Sequence, residues 1–211
     1  MASKIKLNPL DAAWLMVEST ETPMHVGSLT IYSLPPKAPE SFLKDWVSAM
    51  REHRNFAAPF NLKLANPSLK AVLPAWVEDH KIDLDYHFRH SALPAPGGER
   101  ELGVLVSRLH SHALDFNRPL WEMHIIEGLE NNRFALYMKM HHSQVDGVGG
   151  MKMLEKMLSP DPKTDDMLPP WSIGRGSSDT PRRKGPRPTL QESLKAQAST
   201  LPGVVKALRE V

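Results

Sequence analysis

The segment best suited to chemistry is residues 141–147, which read HHSQVDG. It follows an alternating apolar pattern typical of a strand and precedes a helical pattern. Successive side chains on a strand point to opposite faces, so only one of the two histidines is able to face a given cleft. A histidine suits proton removal near neutral pH because its unperturbed pKa is about 6.5. We therefore expect one of His141 and His142 to do chemistry and the other to be structural.

Asp146 and Gly147 complete this segment. The carboxylate of Asp146 is able to orient the loop by pairing with a cation, and Gly147 permits backbone angles or close approaches that a Cβ would forbid. A zinc site of His141, His142 and Asp146 would have suitable ligand types. Adjacent strand residues point apart, however, so we predict no metal site. Two other histidine pairs lack a third ligand at a recognisable spacing and are expected on the surface: His87 with His90, and His110 with His112.

Helices and strands with recognisable patterns must position this segment. Asn8 predicts a helix N-cap, with Pro9 at the first helical position and Asp11 near the positive end of the helix dipole. Helical spacing of apolar residues covers 40–53, 99–114 and 147–158, and strand patterns cover 24–32, 84–88, 121–127 and 133–141. Residues 128–132 suit a hairpin loop. This order predicts an α/β or α+β layered domain, a mixed sheet flanked by helices.

We predict that residues 1–158 form one domain. Residues 159–188 carry many prolines, small polar residues and the basic run 182–184 without a hydrophobic period, which predicts a linker. Residues 189–211 predict a helix that opens with a capping box of Thr189 and Glu192. A long linker before a helix at the terminus indicates that a carboxy-terminal domain, absent from this chain, normally follows.

Composition excludes several classes of protein. The formal net charge of +2 argues against a nucleic-acid partner. Cysteine is absent, which excludes disulfides, thiolate zinc sites and a cysteine nucleophile, and a reducing interior is the natural compartment. The sequence shows neither a signal peptide nor an uncharged run of membrane-spanning length. We expect a cytoplasmic protein, with peripheral contact to the inner membrane or to lipid inclusions left open.

Four segments together resemble a known family. The pattern HHxxxDG at 141–147 resembles the motif of the CoA-dependent acyltransferases, which include chloramphenicol acetyltransferase and the condensation domains of nonribosomal peptide synthetases. Further matches are Pro9-Leu10-Asp11 with Trp14, then PMHVG at 23–27, and Pro119-Leu120-Trp121. Their order and spacing over residues 7–158 resemble the bacterial wax ester synthase/acyl-CoA:diacylglycerol acyltransferase family.

This resemblance implies the amino-terminal half of a two-domain enzyme with a chloramphenicol acetyltransferase-like fold. In such an enzyme His142 would be the general base that removes the proton of a long-chain alcohol or diacylglycerol as its oxygen attacks the acyl-CoA thioester, without an acyl-enzyme and without a cofactor. His141 and Gly147 would support the motif, and Asp146 would hold the loop through a salt bridge. The other half would supply an Asn-Asp motif and the donors that stabilise the oxyanion. The remaining motif would be structural: Pro119, Leu120 and Trp121.

Two other functions stay open at this point. A condensation domain would join carrier-bound acyl groups to amines, and a non-catalytic lipid-binding module would keep the fold without turnover. A cluster of methionines around the motif either lines a flexible tunnel for an acyl chain or fills the core: Met138, Met140, Met151, Met153 and Met157. The basic run near residue 182 is either a solvated linker or a contact for anionic lipid headgroups.

Overall fold

The computed structural model describes residues 4–159, 161 and 168–173. The helices are α1 Pro9–Val17, α2 Phe42–Glu52, α3 Leu84–His87, α4 Glu99–Ser111, α5 Gly147–Met157 and α6 Pro170–Ile173, with one 3₁₀ turn at Pro67–Leu69. The strands are β1 Ile5–Lys6, β2 His25–Ser33, β3 Leu62–Leu64, β4 Ala75–Glu78, β5 Phe88–Ala92, β6 Trp121–Leu129 and β7 Arg133–His141. The helix predicted over 189–211 and most of the predicted linker lie outside the described residues.

A four-stranded mixed sheet forms the centre of the fold. Its strand order is β2-β7-β6-β5, with β5 and β6 parallel and the other pairs antiparallel. Helix α4 connects the two parallel strands, because such strands cannot be joined by a tight turn. A smaller antiparallel sheet has the order β1-β4-β3. The prediction of a layered α/β domain with a mixed sheet and flanking helices is confirmed.

Apolar side chains cover both faces of the large sheet. Helix α2 buries Leu43, Val47 and Met50, whose spacing places them on one side of the helix, against one face. The same face packs against Met153 of α5. Helix α4 covers the opposite face, where residues of the sheet and the helix form a second cluster: Leu102, Leu105, Val106, Leu109, Ile126, Ala135 and Tyr137. Strand β7 therefore lies between helices on both sides.

A buried ion pair fastens α4 to the sheet. Lys139 of β7 is fully buried, and its ammonium donates hydrogen bonds to the carbonyls of Leu109 (2.9 Å) and His112 (2.8 Å) at the end of the helix. Glu122, its register partner on β6, lies 3.5 Å from the ammonium. Although burial alone would raise it, His124 and Lys139 hold the pKa of Glu122 below its usual value. A cation at a helix carboxyl end also complements the helix dipole.

The prediction of a strand over 84–88 is wrong for most of that range. Residues Leu84–His87 form the short helix α3, and the strand begins only at Phe88. Asp83 caps the helix, because its carboxylate accepts a hydrogen bond from the backbone N–H of Tyr86 at 3.3 Å. Two alternations of apolar and polar residues also fit a single helical turn, so a pattern this short does not distinguish the two structures.

His87 does not lie on the surface as expected. It is fully buried, with its ring stacked on Trp121 at a centroid distance of 4.5 Å and an interplanar angle of 20°. Its Nδ1 lies 2.7 Å from the carbonyl oxygen of Trp121. Burial lowers the pKa of His87, so its ring acts as a neutral aromatic side chain of the core. Of the other three predicted surface histidines, His110 and His112 are exposed and His90 is partly buried.

Part of the predicted linker packs into the core. Trp171 of α6 is fully buried and contacts Trp121 and Phe88, with ring centroids 5.9 and 5.0 Å away. Its indole N–H donates to the carbonyl of His53 at 2.9 Å. The sequence around it lacks a hydrophobic period because a single large residue makes the contact. The described residues 168–173 therefore belong with the folded domain.

Replacing Trp171 by Ala tests this packing. We expect the free energy of unfolding to fall by about 3–5 kcal/mol, because the change leaves a large cavity among aromatic rings. Denaturant unfolding of the protein measures the loss. Leu168→Ala is the matched control, since Leu168 is 49 % exposed and its truncation should cost about 0.5 kcal/mol or less. Equal small losses in both variants would contradict the burial of Trp171.

Candidate active site

The two histidines at the end of β7 lie on opposite sides of the sheet. Tyr137 and Lys139 face α4, and His141 lies on the same side of the sheet against Glu18 and Phe116. Met138, Met140 and His142, the residue that follows the strand, lie on the side of α5, so the alternation of the strand continues through the motif. The backbone N–H of His141 donates to the carbonyl of Leu120 at 3.0 Å, and that of His142 donates to the carbonyl of Met24 at 2.9 Å. The strand end is thus held from both neighbouring strands.

His142 borders a cavity of about 250 Å³ between β2, β7 and α5. Its Nδ1 is buried and has no hydrogen-bond partner among the described residues, which leaves Nε2 as the nitrogen available to a substrate. The indole of Trp14 stacks on the ring, with centroids 4.2 Å apart and an interplanar angle of 18°. The imidazole is therefore open to the cavity and held by an aromatic face.

The cavity has a predominantly apolar lining. Strand β2 contributes small side chains on one side, and β7 and α5 contribute large flexible ones on the other. The lining includes Val26, Ser28, Thr30, Leu136, Met138, Met140, Val145, Gly150, Met151, Met153, Leu154 and Met157. All five methionines of the predicted cluster belong to it. Flexible thioether side chains adapt to irregular apolar shapes, which suits contact with a hydrocarbon chain.

His141 lies in a closed environment on the other side of the strand. Its Nδ1 accepts from the backbone N–H of Ser143 at 3.1 Å and lies 2.7 Å from the Ser143 hydroxyl. Its Nε2 lies 3.4 Å from a carboxylate oxygen of Glu18. Burial, followed by the charges of Lys70 and the neighbouring histidines, lowers the pKa of His141 to about 3. Burial also raises the pKa of Glu18. His141 is therefore a neutral, fully enclosed imidazole.

Asp146 and Gly147 lie at the start of α5. Asp146 is the N-cap of α5, where its carboxylate accepts from the backbone N–H of Gly149 at 2.5 Å, and it forms no salt bridge with any residue that the structure describes. A Cβ at Gly147 would meet no atom within 4 Å among those residues, so no close approach requires glycine there. A Cβ at Gly149 would instead come within 2.9 Å of the Asp146 carboxylate. The steric need for glycine lies two residues later than predicted.

The segment Pro119–Trp121 supports the site from beneath. Leu120 and Trp121 are fully buried, and the Leu120 carbonyl is the acceptor for the His141 backbone N–H. The indole N–H of Trp121 donates to the carbonyl of Phe60 at 2.9 Å. These contacts fix the start of β6 against the end of β7, next to the histidines. Sequence reasoning missed Glu18 altogether, and Trp14 entered only as a residue that carries the resemblance.

Comparison with known proteins identifies the family. A family model described as the wax ester synthase/diacylglycerol acyltransferase catalytic domain matches residues 7–211. The chain belongs to this family. The O-acyltransferase WSD of Acinetobacter baylyi is 40 % identical over 207 residues, which are 97 % of this chain and 44 % of that protein. A putative diacylglycerol O-acyltransferase of Mycobacterium tuberculosis is 51 % identical over 158 residues, 74 % of this chain and 32 % of the relative.

Solved structures support the same fold. The wax ester synthase/diacylglycerol acyltransferase of Marinobacter aquaeolei VT8 has a TM-score of 0.75 and 43 % identity over 90 % of this chain and 45 % of that one. The first condensation domain of the calcium-dependent antibiotic synthetase has a TM-score of 0.52 and 15 % identity over 72 % of this chain and 36 % of that one, and so shares the fold. The chloramphenicol acetyltransferase-like fold class is confirmed. The chain spans less than half the length of these relatives.

Within the described residues, no helix combines the length and apolar character that crossing a bilayer requires.

Stability against pH tests the neutral state of His141. Its pKa is about 3 in the folded protein and about 6.5 in the unfolded chain, so the unfolded chain binds more protons between these values. The contribution of His141 to the free energy of unfolding should therefore decrease as pH falls from about 6.5 to about 3. Denaturant unfolding at a series of pH values measures this slope.

We expect His141→Gln to have a smaller slope than the unsubstituted protein over this pH range, even if its stability at neutral pH is lower. His112→Gln is the matched control, because His112 is exposed and its replacement should leave the slope unchanged. Identical slopes in all three proteins would show that His141 titrates normally in the folded state.

Proposed function

We propose that this chain is the amino-terminal half of an O-acyltransferase that moves a long-chain acyl group from acyl-CoA to a fatty alcohol or diacylglycerol. His142 is the general base. The observation that carries the proposal is the position of this imidazole, which borders a methionine-lined apolar cavity while His141 is sealed on the other side of β7. A base next to an apolar cavity suits a hydroxyl group at the end of a lipid.

The reaction transfers one proton and exchanges one bond at the carbonyl carbon. Nε2 of His142 takes the hydroxyl proton as the alcohol oxygen attacks the thioester carbonyl. The tetrahedral intermediate then collapses, the carbon–sulfur bond breaks, and the CoA thiolate leaves and recovers a proton from the imidazolium. No acyl-enzyme forms. Acyl-CoA is a substrate in this scheme, and no cofactor takes part.

The remaining parts of the enzyme belong to the proposal as well. Residues 1–158 together with the packed segment 168–173 form the amino-terminal acyltransferase domain, the rest of 159–188 connects it to the other half, and 189–211 lead into that half. A carboxy-terminal half supplies the Asn-Asp motif, the opposite wall of the tunnel and the donors to the oxyanion. Asp146 and Gly147 start α5 next to the base, and Pro119, Leu120 and Trp121 support its strand. We place the enzyme in the cytoplasm, in peripheral contact with the inner membrane or lipid inclusions, where its substrates reside.

The names of the relatives support an acyltransferase reaction on an oxygen acceptor. The Acinetobacter protein is named an O-acyltransferase and the Marinobacter protein a wax ester synthase/diacylglycerol acyltransferase. Condensation domains share the fold at 11–15 % identity, which does not transfer their acceptor chemistry to this chain.

Replacing His142 by Ala tests the base. With a carboxy-terminal half supplied, we expect the rate of CoA release from palmitoyl-CoA and hexadecanol to fall about 10²–10⁴-fold, because a positioned general base contributes that much. His112→Ala is the matched control, since it removes an exposed histidine and should keep the full rate. Undiminished turnover of a folded His142→Ala protein would eliminate the base assignment. Binding of acyl chains without CoA release by the unsubstituted protein would favour a lipid-binding module.

Replacing Ser28 by Phe tests the cavity as the site of a hydrocarbon chain. Ser28 is exposed on β2 and lines the cavity, so a benzyl group there should occupy part of the volume without disturbing the core. We expect the preferred chain length to shorten in one substrate, with a loss of about tenfold or more for sixteen carbons relative to eight. Losing contact with two buried methylenes accounts for that factor.

The measurement is kcat/KM over series of alcohols and of acyl-CoA thioesters from eight to eighteen carbons. Ser33→Phe is the matched control, because Ser33 is exposed on the same strand and does not line the cavity. An unchanged chain-length profile of Ser28→Phe in both series would show that neither chain enters this cavity.

A further inference from the structure

We propose that helix α1 is the positioning element of the active site, with Trp14 and Glu18 holding the two histidines in place. The inference rests on the proposed role of His142 as the base. Trp14 and Glu18 are four residues apart, at the end of α1 and just beyond it, so they lie on the same side. Trp14 contacts the ring of His142, and Glu18 faces the ring of His141. Helix α1 and the residue that follows it therefore contact both histidines.

Trp14 restricts the orientation of the His142 ring. Rotation about the bond between Cβ and the imidazole has a broad energy profile, so a histidine ring needs an external constraint. A hydrogen bond at the second ring nitrogen usually provides it, but Nδ1 of His142 is buried without a partner among the described residues. The indole lies nearly parallel to the imidazole at 4.2 Å, and turning the ring would break this stack. The stack therefore fixes the ring orientation that a hydrogen bond at Nδ1 would otherwise fix.

Glu18 fixes the backbone that carries His142. Its side chain is 4 % exposed, and its carboxylate accepts a hydrogen bond from the backbone N–H of Met24. The carbonyl of the same residue, Met24, accepts the backbone N–H of His142 at 2.9 Å. The start of β2 is thus held between the Glu18 carboxylate and the His142 backbone. A displacement of the Glu18 carboxylate would therefore change the position of His142 through one intervening residue, Met24.

Glu18 also faces the nitrogen of His141 that carries the proton. Nδ1 accepts a hydrogen bond from the backbone N–H of Ser143, so the proton of the neutral ring is on Nε2. That nitrogen points to the Glu18 carboxylate, with 3.4 Å between Nε2 and Oε2. The ring of His141 is therefore held by the hydrogen bond at Nδ1 and by the carboxylate that Nε2 faces. Turning the ring would break that hydrogen bond and move Nε2 away from the buried carboxylate.

Lys70 anchors the carboxyl end of α1 to the same site. Its ammonium donates to the carbonyls of Leu15 (3.1 Å) and Glu18 (3.2 Å), which are unsatisfied acceptors at a helix end. It also lies 4.6 Å from the ring centroid of Phe116, and this ring contacts His141 edge-on with centroids 5.8 Å apart. A displacement of α1 would disturb each of these contacts, so the helix and the histidines form one unit.

Trp14→Met and Trp14→Phe test the stacking contact. Methionine keeps apolar volume without a flat face, whereas phenylalanine keeps the face. With a carboxy-terminal half supplied, we expect Trp14→Met to lower kcat about 10–100-fold and to change KM for acyl-CoA less than about twofold, because small misplacements of a reacting group carry losses of that order. Trp14→Phe should recover most of kcat. Trp46→Met is the matched control, since Trp46 packs on α2 against Phe134, away from the histidines.

A parallel pair of variants tests Glu18. Glu18→Gln keeps an acceptor for the Met24 N–H but removes the charge that faces His141, and Glu18→Ala removes both. We expect kcat to fall about tenfold in Glu18→Gln and further in Glu18→Ala, again with KM for acyl-CoA changed less than about twofold. Glu21→Gln is the control, because Glu21 is exposed and its carboxylate bonds only the Ser19 hydroxyl among the described residues. If Trp14→Met does not fold, the Glu18 variants alone test the positioning role of α1.

An NMR measurement separates this proposal from the proposed function. The ring current of Trp14 should shift the carbon-bound protons of the His142 ring upfield in the unsubstituted protein, and the shift should disappear in Trp14→Met but not in Trp46→Met. Loss of the shift with an unchanged kcat, or equal falls of kcat in Trp14→Met and Trp46→Met, would overturn the positioning role. Full turnover of His142→Ala with the ring-current shift intact in the unsubstituted protein would instead remove the base assignment, and with it any catalytic consequence of the stack.

Discussion

The alternation of side chains along β7 is the constraint on which the site depends. Because neighbouring residues of a strand point to opposite faces, His141 and His142 enter environments that differ in every respect. One ring is enclosed, neutral and hydrogen-bonded at Nδ1, and the other borders an apolar cavity with Nε2 available to a substrate. A shift of one residue in the register of β7 would place His141 at the cavity and turn His142 toward the enclosed side of the sheet.

The surroundings of β7 explain why that register is stable. Its hydrogen bonds to β2 and β6 run from Arg133 to the motif, and the backbone N–H groups of His141 and of His142, the next residue, donate to the carbonyls of Leu120 and Met24. On one face Lys139 joins the strand to the end of α4 through a buried ion pair, whose separation would leave an uncompensated charge in the core. The site is therefore built on rigid elements, and the loop after it only starts α5.

Much of this arrangement follows from patterns in the sequence. Helices α2 and α4 and the hairpin of β6 and β7 have apolar residues at the periods of their elements, and Asn8 caps α1 as its position indicates. The opposite orientation of the two histidines follows from the strand period alone. The family resemblance added the chloramphenicol acetyltransferase-like type of this fold, the expectation of a second half and the choice of His142, which spacing by itself leaves undecided.

Other features could not be predicted because they depend on contacts between distant segments. From the sequence alone Lys139 is expected to be exposed, whereas in the structure the end of α4 and Glu122 surround it. Trp171 belongs to no periodic pattern of apolar residues. The short alternation before Phe88 suits a strand as well as a helical turn. Glycine at position 147 suggested a close approach, whereas the neighbour that would clash lies opposite Gly149. Each of these depends on contacts between segments that are distant in the sequence or on the local geometry of a single turn.

The methionine lining of the cavity has a chemical consequence for an enzyme that handles lipids. In a chain without cysteine, thioethers are the most readily oxidised side chains, and conversion to the sulfoxide makes a flexible apolar group polar. The lining grades from Met151, which is 66 % exposed, to Met140 and Met153, which are nearly inaccessible. Oxidants would therefore reach Met151 before Met140 and Met153, so the exposed part of the lining would become polar while its buried part stays apolar.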